Sequence, residues 1–186
     1  TAENHTKTGI LYYEDGERYD YVLGMNEQYG GVSFDRHYYN LGDAILIYDD
    51  LVSDSIHTYV QRFHPSEALK LIEQNDRETV FSLADTGYTV HVQQLGDAGE
   101  NSIIYGQPEE GPLAGLISRS MGLLDDVYTL QYETIGDNVG FVTLITIEDA
   151  EGQVLNIDGL SYDPETMTAS VRWDDGIVDQ ITLASR

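Results

Sequence analysis

The sequence predicts an all-β fold, an antiparallel β-sandwich of about 10–14 strands with little helix. Three observations predict it. Apolar and polar residues alternate with a period of two over many short runs, while a sustained 3.6-residue period is nearly absent. The runs are rich in Tyr, Val, Ile and Thr, side chains that suit a pleated, half-buried surface. Turn residues separate the runs, among them Asp85–Thr86–Gly87 and Asp174–Asp175–Gly176.

Taken in order, Ile45–Leu46–Ile47–Tyr48 follows Gly42 and ends at Asp49–Asp50, which reads as a buried strand. Thr58–Tyr59–Val60–Gln61–Arg62–Phe63 reads as the next, stopped by Pro65, which cannot donate to a ladder. The segment from Ser66 to Gln74 fits two readings. Ser66 is a plausible helix N-cap, yet Ala68, Lys70 and Ile72 alternate with Leu69 and Leu71 as in an edge strand. Thr79–Leu83 and Tyr88–Val92 flank a hairpin link at Asp85–Gly87. Later strands are expected at Val127–Tyr132 and Phe141–Ile147, and a final hairpin joins Ala169–Trp173 to Ile177–Leu183. No fixed-period repeat marks a propeller or solenoid, and no composition shift marks a linker. A single domain over 1–186 is the economical expectation.

Composition narrows the function classes. The 186 residues are 41% hydrophobic, enough for a sizeable core, and no apolar run approaches the ~18 residues that span a bilayer. There is no cysteine, so disulfides and thiolate chemistry are excluded. With 33 acidic residues against 9 basic, the net charge is −24. Such a field repels polyanions, which excludes independent binding to nucleic acid or to an anionic membrane. Solubility or a saline habitat accounts for most of these carboxylates; metal ligation accounts for few. A secretion signal removed before Thr1 and excision from a longer chain fit the N-terminus equally.

Three groups of residues are candidates for chemistry. Strand ends that meet would bring Asp49 or Asp50 towards His64, with His5 as a third donor, an oxygen–nitrogen set suited to one structural zinc ion. His57 and His64 also fit as ordinary hydrogen-bonded strand residues. Asn156–Asp158 with Gly159, and Asp174–Asp175–Gly176, resemble calcium loops only loosely, depart from the EF-hand pattern, and fit turn capping better. Fourteen tyrosines and one tryptophan offer ring platforms for sugars, with Tyr38, Tyr39, Tyr105 and Trp173 the candidates. No nucleophile elbow or phosphate loop occurs, and no carboxylate pair stands out for glycoside hydrolysis.

From about Asp20 onward the order of features resembles the C-terminal β-sandwich of heparinase II/III-type polysaccharide lyases. The resemblance runs through Asp20–Tyr21–Val22, Phe34–Asp35–Arg36–His37 and Ala44–Leu51, then His57–Thr58–Tyr59 and Arg62–Phe63–His64–Pro65. It continues in Asn101–Gly106, Pro112–Leu113 and Phe141–Ile145, and Asn4–His5–Thr6 with Glu14–Asp15–Gly16 is similar to elements at the sandwich entrance. His5 departs from the family pattern, standing in Asn-His-Thr rather than His-Asn-Thr.

The resemblance implies a secreted, periplasmic or cell-surface bacterial protein in which an (α/α) toroid carries the catalysis and the sandwich walls the cleft. It also implies a zinc site whose matching positions are His5, Asp49 or Asp50, and His64. No toroid is visible here, and a surface at −24 gathers an anionic sugar poorly. The chain by itself is therefore expected to be an inactive accessory sandwich acting on uronic-acid-containing polysaccharide with its toroid partner. The competing expectations are a stand-alone carbohydrate-binding module and a calcium-stabilised surface or adhesion domain.

Overall fold

The computed structural model describes residues 7–97, 99–106, 114–121 and 123–183. Fourteen strands and no helix occur among them, and the strands pair antiparallel. β1 (Thr8–Asp15), β2 (Asp20–Asn26), β3 (Val32–Asn40) and β4 (Ala44–Phe63) form a meander. β5 (Leu69–Gln74), β6 (Glu78–Leu83) and β7 (Thr89–Gln94) form a second one. β11 (Tyr128–Glu148) lies between them, giving the order β1-β2-β3-β4-β11-β7-β6-β5. β8 (Glu100–Tyr105) pairs with the first part of β11, and β9 (Leu116–Ser120) with β10 (Leu123–Asp126) makes a separate hairpin. β12 (Ile157–Asp163), β13 (Thr168–Trp173) and β14 (Val178–Thr182) form a three-stranded sheet.

The region from Ser66 to Gln74 settles as strand β5, not helix. Leu69 and Leu71 pack in the core beside Phe81 while Lys70 and Ile72 are exposed, so the period of two prevails. Both predicted hairpins are present, the last with Gly176 at φ 81°, in the left-handed region a tight turn requires.

The four strands expected at 45–48, 58–63, 127–132 and 141–147 are instead parts of two long ones, β4 and β11. These pair along nearly their whole length, but the register slips in the middle. His57 lies opposite Gly136, and Val52 lies opposite Asn138. Between those points β4 advances 57 − 52 = 5 residues while β11 advances 138 − 136 = 2. An excess of this kind bends a ladder sharply.

Past the bend, the second half of β4 and the first half of β11 fold back over the main sheet. Tyr132 of β11 accordingly donates its hydroxyl to the carbonyl of Val92 on β7, although β7 pairs with β11 only at 143–148. Leu130, Tyr132 and Tyr59 from the folded-back layer pack with Phe81, Val92 and Phe141. On the opposite face of the main sheet, Leu46, Tyr48, Val142 and Leu144 pack against Val171, Trp173 and Ile181 of the three-stranded sheet. The shared sheet thus buries both faces of β4 and β11, which read as near-continuous apolar runs for that reason.

Candidate functional site

The bend in β4 creates a recess. Up to Ser53 the strand is paired with β3, and beyond it β4 leaves β3 and curves over the sheet. The angle between them encloses a cleft of about 690 Å³, lined among others by Tyr29, Phe34, Arg36, Asp49, Tyr59 and Gln61. Alternation on β3 and β4 puts Phe34, Arg36, Asp49 and Leu51 on the same face, because Arg36 is registered opposite Asp49 and Phe34 opposite Leu51.

Asp49 is 2% exposed. Arg36 donates to it twice, from Nε to Oδ1 and from Nη2 to Oδ2, each at 2.6 Å. Gln61 adds a third donor, Nε2 to Oδ2 at 2.9 Å. Behind Gln61 the chain of contacts continues: its Oε1 accepts from Gln94 Nε2 at 2.7 Å and from Thr143 Oγ1 at 2.9 Å. A planar fork on a carboxylate is the strongest geometry available to this ion pair. The bond to Asp49 raises the pKa of Arg36 more than burial lowers it, so the guanidinium stays charged. Its plane also lies over the Phe34 ring, 5.6 Å from the centroid. Tyr29, 58% exposed, sits beyond Phe34 with ring centroids 6.5 Å apart.

The residues singled out from sequence are spread across the molecule. Asp49 and Asp50 are consecutive in an extended strand and so face opposite sides of the sheet; Asp50 is buried opposite Asp35 of β3. His64 is exposed just past the end of β4, its Nδ1 3.1 Å from Thr129 Oγ1. His5 and Pro112–Leu113 lie outside the described residues. Asp49 is already held by Arg36 and Gln61, and no group of three His, Cys, Asp or Glu among the described residues could hold a metal.

Two of the expected sugar platforms are buried. Tyr39 is 7% and Trp173 4% exposed, and both belong to the core between the main sheet and the three-stranded sheet, so neither offers a free ring face. Trp173 sits there with its Nε1 donating to Asp179 at 2.8 Å. Tyr38 is half-buried, and Tyr105 is exposed with its ring 4.7 Å from that of Tyr128. The acidic loops act as turns: Asn156 has φ 68°, and Asp175 caps the backbone of Ile177 while binding Arg18.

Arg36, Gln61 and Tyr29 were not singled out as site residues from sequence. Arg36 was visible only within Phe34–Asp35–Arg36–His37, and its pairing with Asp49 depends on strand register rather than on spacing.

No protein-family model matches the chain, and no curated protein matches it. Solved structures do. The heparan sulfate lyase HepC from Pedobacter heparinus is similar with a TM-score of 0.71 and 13% identity, over 97% of this chain and 28% of that one. A heparinase III, the BT4657 gene product, gives 0.69 and 10% over 95% and 28%, and a second heparinase III gives 0.65 and 13% over 95% and 27%. Likeness at such low identity establishes the fold. The chain spans little more than a quarter of these lyases' length.

Proposed function

We propose that this chain is the accessory β-sandwich of a heparinase II/III-like polysaccharide lyase, working on uronic-acid-containing glycans beside a separate catalytic domain, in a secreted, periplasmic or cell-surface protein. The observation that carries the reading is the match of nearly the whole chain to about a quarter of a heparan sulfate lyase. Such proportions suit one module of a larger protein.

The chemistry available in the chain supports the same assignment. Elimination at a uronate needs a group to neutralise the carboxylate, a base at C5 and an acid at the leaving oxygen. The cleft supplies a fixed cation, Arg36, but guanidinium does not exchange protons at neutral pH. His57, the histidine lining the cleft, has its Nε2 3.0 Å from the hydroxyls of both Ser53 and Ser55. The stand-alone binding-module reading loses two of its ring platforms with the burial of Tyr39 and Trp173.

The test compares two proteins on heparan sulfate and on unsulfated glucuronate polymer, following absorbance of the unsaturated uronate product. A protein joining this chain to its catalytic domain is expected to produce that signal, and the 186 residues alone none. Turnover by the isolated chain would overturn the accessory role.

A further inference from the structure

We propose that the recess inside the bend of β4 is a subsite for one acidic sugar unit, with Arg36 binding its carboxylate or sulfate and Tyr29 stacking on its ring. The inference rests on the lyase reading above and deepens it by assigning contacts.

Charge distribution is the first support. Basic side chains are scarce in this chain, yet Arg36, Arg62 and His57 all line the recess, against Asp49 as its acidic member. A second cleft, of about 360 Å³, has the opposite character: Glu148 and Asp158 line it, with no basic residue. Attraction over a few ångströms decides binding here, because charges beyond a Debye length of about 8 Å are screened at physiological salt. The net charge of −24 therefore slows the approach of an anion more than it weakens a contact already made.

The second support is the set of donors Arg36 retains. A guanidinium carries five N–H groups, and two of them go to Asp49. The remaining three lie on a side chain that is 42% exposed, so the ion pair presents a fork to the cleft rather than consuming it. Asp49 is clamped in turn by Gln61, and Gln61 by Gln94 and Thr143, so the fork is aimed before a ligand arrives. Preorganised donors lose less entropy on binding than free ones.

The third is the aromatic wall. Phe34 lies beneath the guanidinium and Tyr29 presents an exposed ring next to it. A pyranose has apolar C–H faces and a polar rim, which suits a tyrosine with one apolar and one wet side.

The experiment is a titration of the isotope-labelled 186-residue chain, followed by backbone amide shifts, with three oligosaccharides of equal length. One is an unsulfated glucuronate oligomer, one a sulfated heparan fragment and one neutral. Both acidic sugars are expected to shift amides around Tyr29–Arg36 and His57–Arg62, and the neutral one to leave them unmoved. Tyr29→Ala, at an exposed position, should weaken the acidic ligands by about tenfold, the scale of one lost ring contact or charge-assisted bond. Arg36→Lys keeps a cation beside Asp49 but loses the fork, and should weaken them to a similar degree.

No binding by either acidic sugar, an equal response to the neutral sugar, or full affinity in both variants would overturn the subsite. The two readings fail separately. Acidic-sugar binding in the recess without elimination by the longer protein sinks the lyase assignment and leaves the subsite. Elimination that is indifferent to Arg36→Lys does the reverse.

Discussion

Arg36 and Asp49 face each other across β3 and β4 as an ion pair of unequal burial, the carboxylate enclosed and the guanidinium partly in water. The asymmetry makes the two halves of the pair unequal in energy. Arg36→Ala strands a buried carboxylate and should cost about 3 kcal/mol, the lower end for a broken buried pair. Asp49→Ala leaves a guanidinium that water can reach, plus one unsatisfied Gln61 amide, and should cost about 1–2 kcal/mol. Urea denaturation of both variants measures this difference. Equal losses would contradict the unequal desolvation.

The Gln61–Gln94–Thr143 contacts are all buried, so each lost partner leaves a polar atom without water. Gln94→Leu should destabilise by about 1–3 kcal/mol. Thr143→Val in the same background should add less than it costs alone, because it removes a partner of the amide already gone. A double-mutant cycle in urea reads that coupling directly.

Glu78 sets a pH dependence. Burial pushes its carboxyl up, but hydrogen bonds from His91 and Gln93 outweigh this and hold it below its ordinary value of 4.5. A carboxyl lowered on folding stabilises the native state above its unfolded pKa, and that contribution is lost as pH falls through the native one. The melting temperature should therefore fall more steeply below about pH 4.5 in the native sequence than in Glu78→Gln. Scanning calorimetry of both proteins from pH 6 to pH 3 is the check, and parallel curves would contradict it.

Trp173 reports on the three-stranded sheet. As the chain's one tryptophan, and buried, it should emit at short wavelength in the native protein and shift red on unfolding. Its emission should not move when an acidic oligosaccharide is added, since the recess lies on the other face of the main sheet. Trp173→Ala should cost about 3–5 kcal/mol. A sugar-dependent shift would return Trp173 to the list of ring platforms.

Much of the fold is legible in the chain because alternation within each run is local. Phe81 and Val92, Val171 and Ile181 reveal their inward faces without reference to anything distant. The continuity of β4 is not legible. The polar stretch from Asp49 to His57 reads as a link between two strands, yet it stays extended through the bend while the slipped register accommodates it. The same long-range pairing hides the site. Asp49 and Asp50 look interchangeable as ligands in sequence, and only the register decides that one meets Arg36 while the other faces away. The burial of Trp173 and Tyr39 likewise depends on which sheet covers which face, information no single strand carries.

The bent pair β4 and β11 has a mechanical consequence for the recess. One wall is the length of β4 past the bend, which is cross-linked to β11 on both sides of it, and the other is β3 with Tyr29 and Gly30 just before it. To spread the strand-built walls the ribbon itself would have to flex at Gly136, and only the loop that carries Tyr29 and Gly30 stands outside the ladder. The strand-built part of the cleft therefore inherits its shape from main-chain geometry, and a guest must match that part as found.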